Sequence, residues 1–84
     1  MEETTPIKFY GTVWCLSSRR AKNLLTAKGI EFEWINIDDD EEGRAFVEKV
    51  NNGYRSVPTI VFSDGDILVE PSMVELEEKL ATLR

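Results

Sequence analysis

Short apolar runs alternate along the chain with segments in which apolar residues recur every three or four positions, a pattern that predicts strands interleaved with helices. Ile7-Lys8-Phe9-Tyr10 reads as a strand released by Gly11, and Ala21, Leu24, Leu25 and Ala27 then fall at helical spacing, with Gly29 as the stop. Ile30 to Ile37 reads as a second strand. Strand, helix and strand in this order form a right-handed βαβ unit whose two strands run parallel. Gly43, Phe46, Val47 and Val50 mark the buried face of a second helix, which ends at Asn51-Asn52-Gly53. Tyr54-Arg55-Ser56 leads into a third strand, Val57 to Phe62, whose proline belongs at its first residue or edge because it lacks a donor. Ser63-Asp64-Gly65-Asp66 turns the chain back into Ile67-Leu68-Val69, giving an antiparallel hairpin. Past Pro71, Ser72-Met73-Val74-Glu75 has capping-box spacing, and Met73, Leu76, Leu80 and Leu83 line one face of a last helix. The expected architecture is α/β: a four-stranded mixed sheet with three helices in the order β-α-β-α-β-β-α.

Composition narrows the function without choosing it. At 84 residues, 42% apolar and 31% charged, residues 1–84 read as one small globular domain, with a polar, loose lead from Met1 to Pro6. No apolar stretch is long enough to span a bilayer, and Met1-Glu2-Glu3 is too acidic for a secretory signal, so the expected location is cytoplasmic. A net charge of -6 argues against nucleic acid or an anionic membrane as partner. With no histidine and one cysteine, no zinc or other metal site is expected and no internal disulfide is possible. Any covalent partner of that cysteine belongs to another molecule.

The cysteine sits in Trp14-Cys15-Leu16-Ser17-Ser18, where the first strand gives way to the first helix. That places it in the first helical turn, where unpaired N–H groups and the positive end of the macrodipole favour a thiolate. A buried, inert thiol is the commoner use of a free cysteine, but a strand-to-helix junction brings side chains to solvent. Trp14 either shields the sulfur and offers an apolar face to a ligand or packs in the core. Ser18 either donates to the thiolate or caps the helix. Arg19, Arg20 and Lys22 oppose the dipole at a helix start, so they either support the thiolate and its ligand or form a solvated face paired with the acidic residues. The acidic run Asp38-Asp39-Asp40-Glu41-Glu42 reads as helix capping, with Asp39 and Glu42 at box spacing, rather than as a metal site.

In this order and spacing, Trp14-Cys15-x-x-Ser18-Arg19-Arg20-Ala21-Lys22 and Ser56-Val57-Pro58 resemble the active-site segment and the Thr-Val-Pro motif of the glutaredoxins, within the thioredoxin-like fold. Asp64-Gly65 followed by Glu70-Pro71-Ser72 is most like the mycoredoxins and related small members. The resemblance runs from about Ile7 to Leu83. It implies a thiol-disulfide oxidoreductase with Cys15 and Ser18 at the catalytic position, and Trp14, Arg19, Val57, Pro58 and Ser72 around a low-molecular-weight thiol, mycothiol or glutathione, used as co-substrate. It also implies a cis Val57-Pro58 bond beside Cys15, thiolated or disulfide-containing proteins as partners, a monomer, and no tightly bound cofactor. Two departures shape the mechanism. Ser18 stands where the family usually has its second cysteine, which leaves a monothiol route; a cysteine there would make a dithiol reductase instead. Val69-Glu70-Pro71-Ser72 replaces the Gly-Gly and acidic residue of glutathione-using members. The alternative the resemblance leaves open is an iron-sulfur cluster binding or carrier role for Cys15, although single-cysteine members that carry such a cluster have Gly-Phe where this chain has Leu16-Ser17.

Overall fold

The computed structural model of the chain describes residues 7–82, so Met1 to Pro6, Leu83 and Arg84 lie outside the described residues. Seven elements follow in the expected order: β1 (Ile7–Gly11), α1 (Leu16–Ala27), β2 (Phe32–Asn36), α2 (Glu41–Val50), β3 (Thr59–Val61), β4 (Ile67–Val69) and α3 (Met73–Ala81). The sheet order is β2-β1-β3-β4, with β1 parallel to β2 and antiparallel to β3, and β4 antiparallel to β3.

Register assigns the two faces. Trp34, Phe9, Ile60 and Leu68 are cross-strand partners in one row, and with side-chain alternation they all point to one side. On that side they meet Ala21 and Leu25 of α1 and Leu76 and Leu80 of α3. Phe9 is the hub, its ring 5.3 Å from Trp34 and 5.7 Å from Phe32 in tilted contacts. Each fully buried side chain of this size contributes about 1.5–3 kcal/mol, so Phe9, Leu25, Ile60 and Leu76 dominate the larger core. The opposite face packs Tyr10, Ile37 and Val47 under α2, with Tyr10 stacked on Phe46 at 4.8 Å. Burial raises the Tyr10 hydroxyl above its ordinary pKa, and the charges of Glu33 and Asp40 push the same way. Gly43 lets α2 approach β2, since a Cβ there would lie 2.7 Å from Ile35 Cγ2. Phe46 and Val50, expected to be buried, are only half-covered at the rim of this face, and Met73 on α3 is exposed.

Local bonding explains where the elements start and stop. Gly29, at φ 71°, ends α1 in a Schellman motif, its N–H donating to Thr26 O and that of Ile30 to Leu25 O. Asn52 at φ 56° plays the same part after α2, with Gly53 N–H donating to Glu48 O. The capping box on α3 forms as expected: Ser72 Oγ accepts from Glu75 N–H, and Glu75 Oε1 accepts from Ser72 N–H. The α2 cap is displaced by one residue from expectation. Asp39 is held in a turn by Asn36, so Asp40 becomes the N-cap, accepting from Gly43 N–H, and glycine has no side chain with which to complete a box. β2 and β3 are shorter than the apolar runs that announced them. In β3 the pairing begins only at Thr59, after the donor-less Pro58.

One charged cluster ties the hairpin to α3. Lys79 Nζ lies 2.6 Å from both Asp64 and Asp66, over the Phe62 ring. The Lys79 hydrogen bond holds the Asp64 carboxyl below its usual pKa, and Lys79 is raised by Asp64 and Asp66. A lowered carboxyl stabilises the fold above its unfolded pKa and loses that contribution as pH falls through the folded value. A raised ammonium contributes below its unfolded pKa and loses that contribution as pH rises through the folded one. Lys79→Met is therefore expected to lower the urea midpoint at neutral pH, and the difference from the parent is expected to shrink as pH drops below about 4. A pH-independent difference would show that packing on Phe62, not charge, carries the effect.

Candidate active site

The end of β1 and the start of β3 lie side by side in the sheet, and the segments beyond them converge. From β1 the chain runs through buried Thr12 and exposed Val13 and Trp14 to Cys15. Cys15 is the N-cap of α1, not a residue of its first turn as the spacing implied. Its backbone is extended, at φ -87° and ψ 120°, and its carbonyl accepts the Arg19 N–H at 3.1 Å. The residue still adjoins the helix terminus, since the first N–H groups of α1 follow directly, but its side chain makes no capping hydrogen bond.

From the other side comes Val57-Pro58, joined by a cis peptide bond as the resemblance implied. The Cys15 thiol points at the Val57 carbonyl, a long donor contact of 4.0 Å, and Cys15 is partly accessible. Pro58 is buried and its carbonyl accepts the Glu70 N–H at 2.8 Å, which fixes the loop to the end of β4. Thr59 Oγ donates to Ser56 O at 2.7 Å and accepts from Asn51 Nδ2 at 3.4 Å. Thr59 and Asn51 thus brace the loop from below. No local pattern announces this, because the bracing depends on the end of α2 reaching β3.

The remaining expected site residues are placed as follows. Trp14 does not pack in the core: its ring is 69% exposed, and its Nε1 donates to Asp38 Oδ2 at 2.8 Å. Arg19 and Arg20 are exposed on α1 and form no ion pair among the described residues, while Lys22 lies 4.5 Å over the Trp34 ring. Of the two readings of this basic face, its pairing with the acidic run is therefore not observed among the described residues. Ser18 is fully buried beneath the site and its Oγ has no hydrogen-bond partner, so it neither caps α1 nor donates to the sulfur. Thr12 Oγ is likewise buried and unpartnered. Ser72 has both its hydroxyl and its N–H engaged in the α3 capping box.

Chemically, the arrangement is a single half-open thiol at a helix terminus, facing the Val57 carbonyl, with the exposed Trp14 preceding it in the chain. A thiolate here can attack a disulfide sulfur delivered from solvent, and no second thiol stands within the chain to displace the product. Among the described residues no cluster of acidic or thiol side chains is suited to a metal ion, and no helix is long and apolar enough to cross a membrane.

Comparison with known proteins agrees with this geometry. Residues 7–68 match the family model described as Glutaredoxin. A Mycobacterium tuberculosis protein named as a glutaredoxin is 38% identical over 80 residues, covering 95% of each chain. Mycoredoxin 1 of Corynebacterium glutamicum is 36% identical over 77 residues, covering 92% of this chain and 95% of that one. Among solved structures, the glutaredoxin of Archaeoglobus fulgidus superposes with a TM-score of 0.70 at 31% identity, over 88% of this chain and 84% of its own.

Proposed function

We propose, for a chain that belongs to the glutaredoxin family of thiol-disulfide oxidoreductases, that it removes a low-molecular-weight thiol from proteins by a monothiol mechanism. The observation that carries this reading is the sole cysteine, accessible at the N-cap of α1 with its sulfur turned to the Val57 carbonyl. The Cys15 thiolate attacks the small thiol's sulfur in a protein mixed disulfide. A Cys15–S–S–R bond forms, the protein–sulfur bond breaks, and the protein thiolate leaves and takes up a proton. A second molecule of the thiol, as thiolate, then attacks the R-side sulfur, releasing the symmetrical disulfide and restoring Cys15. The net change is protein–S–S–R plus RSH giving protein–SH plus RSSR.

Mycothiol fits better than glutathione as R. The similarity to a mycoredoxin over nearly the whole chain supports it. So does the end of the site nearest α3, where a glutathione carboxylate would have to be received. There the Ser72 N–H and hydroxyl are already used, and exposed Glu70 adds a like charge that would repel a carboxylate. Mycothiol carries sugar hydroxyls instead of free carboxylates. In this reading Trp14, Val57 and Pro58 border the bound thiol, and Arg19 donates to its oxygens.

Incubation of the reduced protein with either symmetrical disulfide, followed by intact-mass measurement, is expected to give one adduct, on Cys15. Steady-state rates should rise with free thiol concentration, because regeneration is bimolecular. We expect kcat/KM for a mycothiol–peptide mixed disulfide to exceed that for the glutathione equivalent by about tenfold or more, the equivalent of roughly 1.4 kcal/mol. Absence of any adduct would remove the mechanism, whereas equal rates would remove only the choice of thiol.

A further inference from the structure

We propose that Asp38 is a positioning residue for this reaction, holding in one orientation the indole of Trp14, the residue that precedes the nucleophilic Cys15. The inference rests on the proposed mechanism and goes beyond it by assigning a role to a residue outside the expected site. Trp14 is 69% exposed, so little packing fixes it, and among the described residues the one directional contact of its side chain is the 2.8 Å bond from Nε1 to Asp38 Oδ2. Asp38 is itself held. Its N–H donates to Asn36 Oδ1 at 3.0 Å, and the Ile37 N–H donates to Gly11 O at 3.1 Å, tying the end of β2 to the end of β1. The carboxylate is not needed elsewhere, because α2 is capped by Asp40 and the Asn36 side-chain amide donates to Asp39. A run of three aspartates therefore performs three separate tasks, and the first of them points back across the sheet to the residue preceding the nucleophile.

The physical effect is preorganisation. A free indole on the surface samples several rotamers, and fixing it only when substrate arrives would subtract that entropy from binding. With Nε1 tethered, one edge of the ring is committed while the residue stays exposed to an incoming substrate. The expected signature is on substrate affinity, since the indole does not exchange protons or electrons with the disulfide.

The test uses the full chain with four variants, Asp38→Ala, Asp38→Asn, Trp14→Phe and the double Asp38→Ala/Trp14→Phe, assayed on a mycothiol–peptide mixed disulfide. Asp38→Ala is expected to raise KM about five-fold with kcat within about two-fold, the scale of one ordinary hydrogen bond lost at an exposed site. Asp38→Asn retains an acceptor for the indole and is expected to restore KM to within about two-fold of the parent. Trp14→Phe should raise KM similarly, and adding Asp38→Ala to it should change nothing further, because the carboxylate then has no indole to hold. Independently of turnover, the emission contributed by Trp14, taken as the difference from Trp14→Phe, should show lower anisotropy and readier quenching by acrylamide in Asp38→Ala. Asp38 is exposed, and Asp38→Ser, too short to reach the ring, duplicates the test if the alanine variant folds poorly. The proposal is overturned if Asp38→Asn is as impaired as Asp38→Ala, if the effects of Asp38→Ala and Trp14→Phe add, or if Trp14 emission is unchanged. Failure of the parent to reduce any mixed disulfide would overturn the mechanism, while the emission measurements would still decide whether Asp38 holds Trp14.

Discussion

Cys15→Ser is expected to reduce mixed-disulfide turnover by more than about 10³-fold while leaving the protein folded. Both halves follow from the same geometry. The sulfur is the only thiol in the chain, so no neighbouring group can substitute for it, and a serine hydroxyl is a far poorer nucleophile toward sulfur. The sulfur also carries little of the fold: it is partly accessible, and its one polar contact is the 4.0 Å approach to Val57 O. A stability change within about 0.5 kcal/mol is expected, as for other substitutions away from the core. Turnover above about 1% of the parent's would mean that the chemistry lies elsewhere.

Gly11→Ala should have the largest effect on stability among single-methyl changes near the site. Gly11 is buried at the end of β1, and a Cβ there would lie 2.9 Å from Ser18 Oγ and 3.0 Å from two ring carbons of Trp34. Those contacts come from a fully buried serine and from an indole packed against the larger core, so the surroundings yield poorly. Overpacking of this kind costs about 1–3 kcal/mol. At about 4–8 °C per kcal/mol for a domain of this size, the thermal midpoint should fall by at least about 4 °C. Ser18→Ala separates the causes. Its hydroxyl has no partner, so its loss sacrifices no hydrogen bond, and the variant should be at least as stable as the parent. In the Gly11→Ala background it should recover only part of the loss, because the Trp34 contacts persist. An unchanged midpoint for Gly11→Ala would show that β1 can move away from α1.

The order of elements was legible in the residues because each carries its own local signal: the period of Phe9 and Tyr10, the glycine after α1, the capping serine of α3. The cysteine's place at a helix terminus and its approach to Val57-Pro58 could be anticipated for the same reason, with the family resemblance supplying the cis bond. What escaped was set by tertiary reach. The alternation of Ile30 to Ile37 could not say that pairing with β1 covers only Phe32 to Asn36. Asp39 and Asp40 are indistinguishable as caps until Asn36 engages one of them. The basic residues of α1 could be read as serving the thiolate or the acidic run, yet Lys22 settles on an aromatic ring that β2 brings beneath it. Asp38 looked like one more capping carboxylate, since nothing local connects it to Trp14, 24 residues earlier.

The placement of β1 also bears on how the protein comes into being. That strand is the second from one edge of the sheet, and its antiparallel partner arrives only after two helices and another strand, with Phe9 opposite Ile60. During synthesis, then, the Trp14-Cys15 segment emerges as an unsheltered thiol, and the carbonyl it will face is made some forty residues later. A nascent chain or proteolytic fragment that stops short of β3 would contain every residue of the cysteine motif and still lack the carbonyl it faces, so competence should arrive in one step, once β3 has been made.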